Sequence, residues 1–168
     1  LLQQANQAYH TEVNDLLLTA LTYALYSLEE DDSKNESHCI TLEGHGRENW
    51  DENDILDLSR TIGWFTIMYP IKLTIKSSIR ESIKNIKESL RKIPNKGIGY
   101  GAFRYHNYPK NNIRNFNLPP IIFNYLGQFN SSKEENDEWQ IVDEYSGVSS
   151  HRNNSDGSML SINGFVNN

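Results

Sequence analysis

The amino-acid sequence predicts a mixed α/β domain, a sheet flanked by helices. Two observations carry this expectation. Apolar residues recur at helical spacing over residues 11–28 and again over 79–90, which is the mark of helices with one face turned to a core. Between and after these stretches come short runs of strand character around residues 40–42, 61–75, 121–126, 139–142 and 159–166. The length, 168 residues with 37% hydrophobic, suits one domain or part of one.

In the first helix Val13, Leu16, Leu17, Ala20, Leu21, Ala24, Leu25 and Leu28 form a wide stripe expected to face the core. The polar cluster 29–36 has no apolar residue to bury and reads as a solvated loop. Ile40 and Leu42 then alternate with Thr41 and Glu43, so Glu43 is expected on the strand face opposite Ile40 and Leu42. The run 61–75 reads as β-rich, with Pro70 tolerated only at an edge, a bulge or a strand end. Ile79, Ile83, Ile86 and Leu90 define the second helix, which Pro94 ends. Gly97, Gly99 and Gly101 follow without the spacing of a dinucleotide fingerprint, and serve either a simple turn or a close approach of backbone to ligand. Residues 146–158 read as a polar loop, and no repeat of solenoid length is visible.

Sixteen basic against 22 acidic residues leave a formal charge of −6. Nucleic acid, whose binders neutralise phosphates with a basic excess, is not an expected partner. No apolar run is long or clean enough for a membrane helix. Cys39 is the single cysteine and cannot form an internal disulfide, and residues 1–4 lack a secretion signal, so a reducing, cytoplasmic setting is expected. Both ends read as cut from something larger. No metal site is expected, because His38 and Cys39 are neighbours on opposite strand faces and no ligand spacing is present.

The segment Leu42-Glu43-Gly44-His45-Gly46-Arg47-Glu48 places two carboxylates, an imidazole and a guanidinium around two glycines at a strand end. Such a carboxylate suits proton transfer when its surroundings tune its pKa. A surface turn with an ion pair is the plainer alternative. Along the second helix Lys76, Arg80, Lys84, Lys87 and Arg91 form a cationic stripe, either a solvated face or a docking surface for an acidic partner.

This segment, the run Arg60-Thr61-Ile62-Gly63-Trp64-Phe65-Thr66 continuing to Tyr69-Pro70, then Pro94-Asn95-Lys96-Gly97-Ile98-Gly99-Tyr100-Gly101, and then Phe123-Asn124-Tyr125-Leu126-Gly127-Gln128-Phe129 resemble the ordered motifs of epimerization domains in nonribosomal peptide synthetases. Residues 11–21 resemble the helix motif that precedes them. The resemblance implies a mixed-sheet sandwich with flanking helices, the C-terminal lobe of a chloramphenicol acetyltransferase-like fold, over residues 1–168 and truncated at both ends. The family's His-His motif belongs to the other lobe, and none of His10, His38, His45, His106 and His151 is adjacent to another.

By this resemblance the complete domain inverts the Cα of an aminoacyl or peptidyl thioester carried on the phosphopantetheine of a carrier domain. The lobe alone is expected to be inactive. Glu43 is implied as the catalytic proton-transfer residue, opposed by a histidine of the missing motif. Asn124 and Tyr125 are candidate substrate-binding residues, and His45, Arg47 and Arg60 are expected to brace the Glu43 loop, the two arginines through carboxylates. No cofactor is implied in this lobe. Expected partners are a peptidyl carrier domain, the adjacent adenylation and condensation domains, and the missing N-terminal lobe. A condensation-domain lobe forming amide bonds and a non-catalytic carrier-docking lobe are the alternatives.

Overall fold

The computed structural model describes residues 9–30, 34–48, 57–58, 60–105, 117–129, 144–145, 147–148, 150–155 and 157–167. The elements in chain order are α1 (Val13–Leu28), β1 (Ser37–Gly44), β2 (Ile67–Thr74), α2 (Ile79–Arg91), a tight turn at Pro94–Gly97, α3 (Gly99–Tyr105), β3 (Ile121–Phe129) and β4 (Leu160–Asn167). The strands form one mixed sheet in the order β2-β1-β3-β4. β1 runs antiparallel to β2 and parallel to β3, and β4 is parallel to β3. The Thr41 hydroxyl donates to the Pro119 carbonyl at 2.8 Å, fastening the middle of β1 to the approach of β3.

One core lies between the sheet and the two long helices. Ile40, Leu42, Ile71, Leu73 and Phe123 from the sheet meet Leu18 and Leu25 of α1 and Ile86 of α2, and fully burying such a side chain contributes about 1.5–3 kcal/mol. Ile40 faces Ile71 across the β1–β2 ladder. The alternation in β1 thus puts Ile40 and Leu42 on the helix side and Glu43 on the other. Pro70 sits in β2, an edge strand, where proline is tolerated. Ser78 caps α2, its hydroxyl accepting from the Glu81 N–H at 3.3 Å.

Several expectations need correction. The buried residues of α1 are Asp15, Leu18, Thr19, Thr22 and Leu25, while Ala20, Ala24 and Leu28 are exposed. Thr19 and Thr22 tolerate burial because their hydroxyls donate back to the Asp15 and Leu18 carbonyls, each at 2.6 Å. β2 begins at Ile67 rather than at 61, and Ile62 and Trp64 are fully or nearly fully exposed. Gly99 and Gly101 lie in a short helix, α3, that the glycine spacing concealed. The expected strand at 139–142 lies outside the described residues.

The cationic stripe of α2 is partly used within the chain. Lys87 Nζ donates to the Tyr9 carbonyl at 2.6 Å, Arg91 Nη2 donates to the His10 carbonyl at 3.2 Å, and the Arg80 guanidinium lies 6.0 Å from the Tyr9 ring centre. These contacts fix the approach to α1 and leave Lys76 and Lys84 exposed to solvent.

Candidate functional site at the ends of the parallel strands

The parallel pairing Thr41↔Ile122 and Leu42↔Phe123 places Asn124 beside Glu43, one step further along. Asn124 Nδ2 donates to Glu43 Oε2 at 2.9 Å. Glu43 Oε1 has no hydrogen-bond partner among the described residues. The pair opens onto a cleft of about 610 Å³ at the carboxyl end of β1 and the middle of β3, walled also by the start of α1 and the end of α2. Open sheets with parallel strands commonly bind ligands at this end. Glu43, Asn124, Tyr125 and His45 all line the cleft, together with Asp15 and Tyr69. The first three are the residues proposed from sequence to act on or hold substrate, and the fold brings them together.

The glycine-rich segment closes by backbone fit. Gly46 has φ +66°, and a Cβ there would lie 1.8 Å from the Phe65 carbonyl oxygen, so only glycine lets 44–48 lie against the loop before β2. Arg47 then locks that loop. Its guanidinium donates to the Leu58 carbonyl and, at 2.9 Å, to the Thr61 carbonyl, and it stacks 4.4 Å above the Phe65 ring. The brace therefore runs through carbonyls and an aromatic ring, not the carboxylates expected from charge alone. His45 is exposed at the rim, with Nδ1 accepting the Arg47 N–H at 3.2 Å and Nε2 3.3 Å from Glu48 Oε1. Nδ1 is thus the acceptor and Nε2 carries the proton toward Glu48. Arg60 is exposed and makes no hydrogen bond or ion pair among the described residues. The bracing role expected of it is not seen among the described residues.

Two further groups in the cleft were not singled out from sequence. Asp15 is buried at the first turn of α1, where its carboxylate accepts the Glu12 N–H at 2.8 Å. Burial raises its pKa above the ordinary carboxylate value, and the hydrogen bond from Glu12 only partly opposes this. The spacing Glu12-x-x-Asp15 is the available sequence signal, a capping pattern at a helix start. Burial, and then the charge of Glu48, raises Tyr69. In sequence Tyr69 is one aromatic in a strand. Among the described residues no cluster of three or more His, Cys, Asp or Glu is arranged for a metal ion, and no helix is long and apolar enough to cross a membrane.

The family model of the condensation domain matches residues 1–163. The chain belongs to the condensation-domain family. This condensation-family chain is 46% identical over 130 residues to bacitracin synthase 3 of Bacillus licheniformis, covering 76% of the chain and 2% of that relative. It is 46% identical over 135 residues to gramicidin S synthase 1 of Brevibacillus brevis, covering 78% of the chain and 12% of that relative. The chain thus spans a small share of the curated relatives it matches. Among solved structures, the crystal structure of the epimerization domain from the third module of tyrocidine synthetase B is similar with a TM-score of 0.82 and 36% identity, over 99% of this chain and 36% of that one. The first condensation domain of the CDA synthetase, at 10% identity and a TM-score of 0.51 over 73% of this chain and 25% of that one, shares the fold. The mixed sheet with flanking helices is therefore the chloramphenicol acetyltransferase-like architecture of condensation and epimerization domains.

Proposed function

We propose that this chain is the C-terminal lobe of an epimerization domain in a nonribosomal peptide synthetase, and that its cleft is one side of the site that inverts the Cα of an aminoacyl or peptidyl thioester held on a carrier's phosphopantetheine. The observation that carries this reading is Glu43, held through Oε2 by Asn124 in a cleft, with Oε1 unbonded among the described residues. Similarity to a solved epimerization domain supports it.

The chemistry needs two opposed groups. A thioester carbonyl acidifies the α-hydrogen, so a base on one face can take that proton while the C–H electron pair moves toward the carbonyl oxygen. An acid on the other face then protonates Cα, inverting it. Glu43 acts from this lobe, its carboxylate taking or returning the proton at Oε1. Asn124 holds the other oxygen and so aims the exchanging one. The opposing histidine is assigned to the other lobe by the resemblance.

The test is Glu43→Gln in the complete domain with a loaded carrier. The amide keeps the shape but cannot exchange the proton, so chirality inversion falls by about 10²–10⁴. One-sided exchange of the α-hydrogen in deuterated water survives for one enantiomer, worked by the opposing group. Near-normal inversion in Glu43→Gln, with loss in Glu48→Gln, would move the role to Glu48. Amide formation from two loaded carriers without α-exchange in the wild type would favour the condensation reading that the matched family description also allows.

A further inference from the structure

The charges of the chain are unevenly placed. Acidic residues outnumber basic ones by 22 to 16, yet residues 89–132 contain no Asp or Glu, while Arg91, Lys92, Lys96, Arg104, Lys110 and Arg114 all fall there. This segment leaves the end of α2, forms the turn at Pro94–Gly97 and α3, and runs through β3. Arg91 is already engaged, with Nη1 3.5 Å from Glu88 Oε1 and Nη2 donating to the His10 carbonyl at 3.2 Å. Lys92, Lys96 and Arg104 have no ion pair among the described residues, where Arg104 also keeps Nε and Nη1 buried and unbonded. The segment thus carries cations without matching anions.

Of these three, Lys96 lines the cleft, and its backbone is strained. Asn95, Lys96 and Gly97 are successive residues in the left-handed region, at φ 44°, 50° and 88°. Position 97 requires glycine, since a Cβ there would lie 2.3 Å from Cδ1 of Tyr69. Asparagine enters this region more readily than most residues, but lysine has no such advantage. Strain of this kind persists where it serves a site. Resting on the proposed reading of the cleft, we propose that the Lys96 ammonium binds the phosphate of the carrier's phosphopantetheine arm. On a carrier that phosphate is a diester with one negative charge, which a lysine matches as a point charge. A polyanion would instead meet Glu12, Glu43 and Glu48, which line the same cleft. The arm separates the phosphate from the thioester, so Lys96 anchors one end of the substrate and need not touch the reacting atoms. No bond forms or breaks at Lys96.

The experiment titrates the complete domain with two soluble ligands, pantetheine and the methyl ester of phosphopantetheine, which carries the phosphate as a diester. Wild type should prefer the phosphate ligand by about three- to tenfold at low salt, and the preference should shrink as salt screens the pair. Lys96→Asn, which suits the left-handed backbone, should lose that preference, keep its affinity for pantetheine and melt no lower than wild type. Lys96→Arg should retain the preference. Lys92→Asn, which removes an exposed charge outside the cleft lining, should also retain it. A wild type without preference for the phosphate ligand overturns the proposal, as does a preference that survives in Lys96→Asn. Equal loss of both ligands in Lys96→Asn, or the same loss of preference in Lys92→Asn, overturns it as well. A phosphate preference that Lys96→Asn abolishes, in a domain that joins two loaded carriers' acyl groups without α-exchange, leaves the Lys96 contact standing and overturns the epimerase reading instead.

Discussion

Replacing Gly97 by alanine probes the packing that shapes the cleft. At φ +88° an L-residue is held in the left-handed region, which costs about 1–2 kcal/mol. The new methyl also lands 2.3–2.6 Å from three atoms of the Tyr69 ring, where apolar contacts prefer about 3.5–4.0 Å. The ring must therefore move by more than an ångström, but its packing against the core limits its retreat, and overpacking of this kind costs about 1–3 kcal/mol. Gly97→Ala should thus destabilise the protein by about 2–5 kcal/mol, lowering the melting temperature by about 2–4 °C for each kcal/mol. Gly101→Ala is the matched comparison. Gly101 lies in α3, and a Cβ there meets nothing within 4 Å, so the same chemical change should stabilise by about 0.5–1 kcal/mol. Urea unfolding of the two variants measures both. Effects equal within about 0.5 kcal/mol would refute the argument that Tyr69 and the left-handed backbone exclude a side chain at 97.

Further outcomes follow from Asp15 and from the basic residues of α2. Because burial raises Asp15, the folded protein holds that proton more tightly than the unfolded chain, so its contribution to stability is fully present below the ordinary value of 3.8 and is lost as pH rises through the raised pKa. Asp15→Asn keeps an acceptor for the Glu12 N–H and removes the titration, so the stability of wild type relative to this variant should decline from about pH 4 upward; parallel pH profiles by calorimetry would contradict the burial of a titrating carboxyl. On α2, Lys87→Ala should cost about 1 kcal/mol through the lost bond to the Tyr9 carbonyl, whereas exposed Lys84→Glu should change stability by less than about 0.5 kcal/mol. If the stripe docks an acidic carrier, Lys84→Glu weakens carrier binding most at low salt, and unchanged binding there assigns Lys84 to the solvated face.

Local periodicity made α2 and β1 legible, since one repeat length per element decides which residues share a face. Ile86 and Leu90 came out on the inner side of α2, and Ile40 and Leu42 on the helix side of β1, because these patterns are short-range. In α1 the same reasoning chose the wrong edge of the stripe, because threonines that satisfy their hydroxyls within the helix are as buriable as alanines, and only the facing sheet selects between them. The proximity of Glu43 and Asn124 was legible through motif resemblance alone. The two residues are 81 positions apart, and their contact exists because β1 and β3 pair in parallel with a register that a slip of one residue would abolish. Arg47 shows the same limit. Its charge was visible in the sequence, but its partners are backbone carbonyls, which no composition distinguishes from any others. The contact of Tyr69 with Gly97 was not legible at all, because a glycine reads as a turn until the chain brings an aromatic ring into the space its side chain would need.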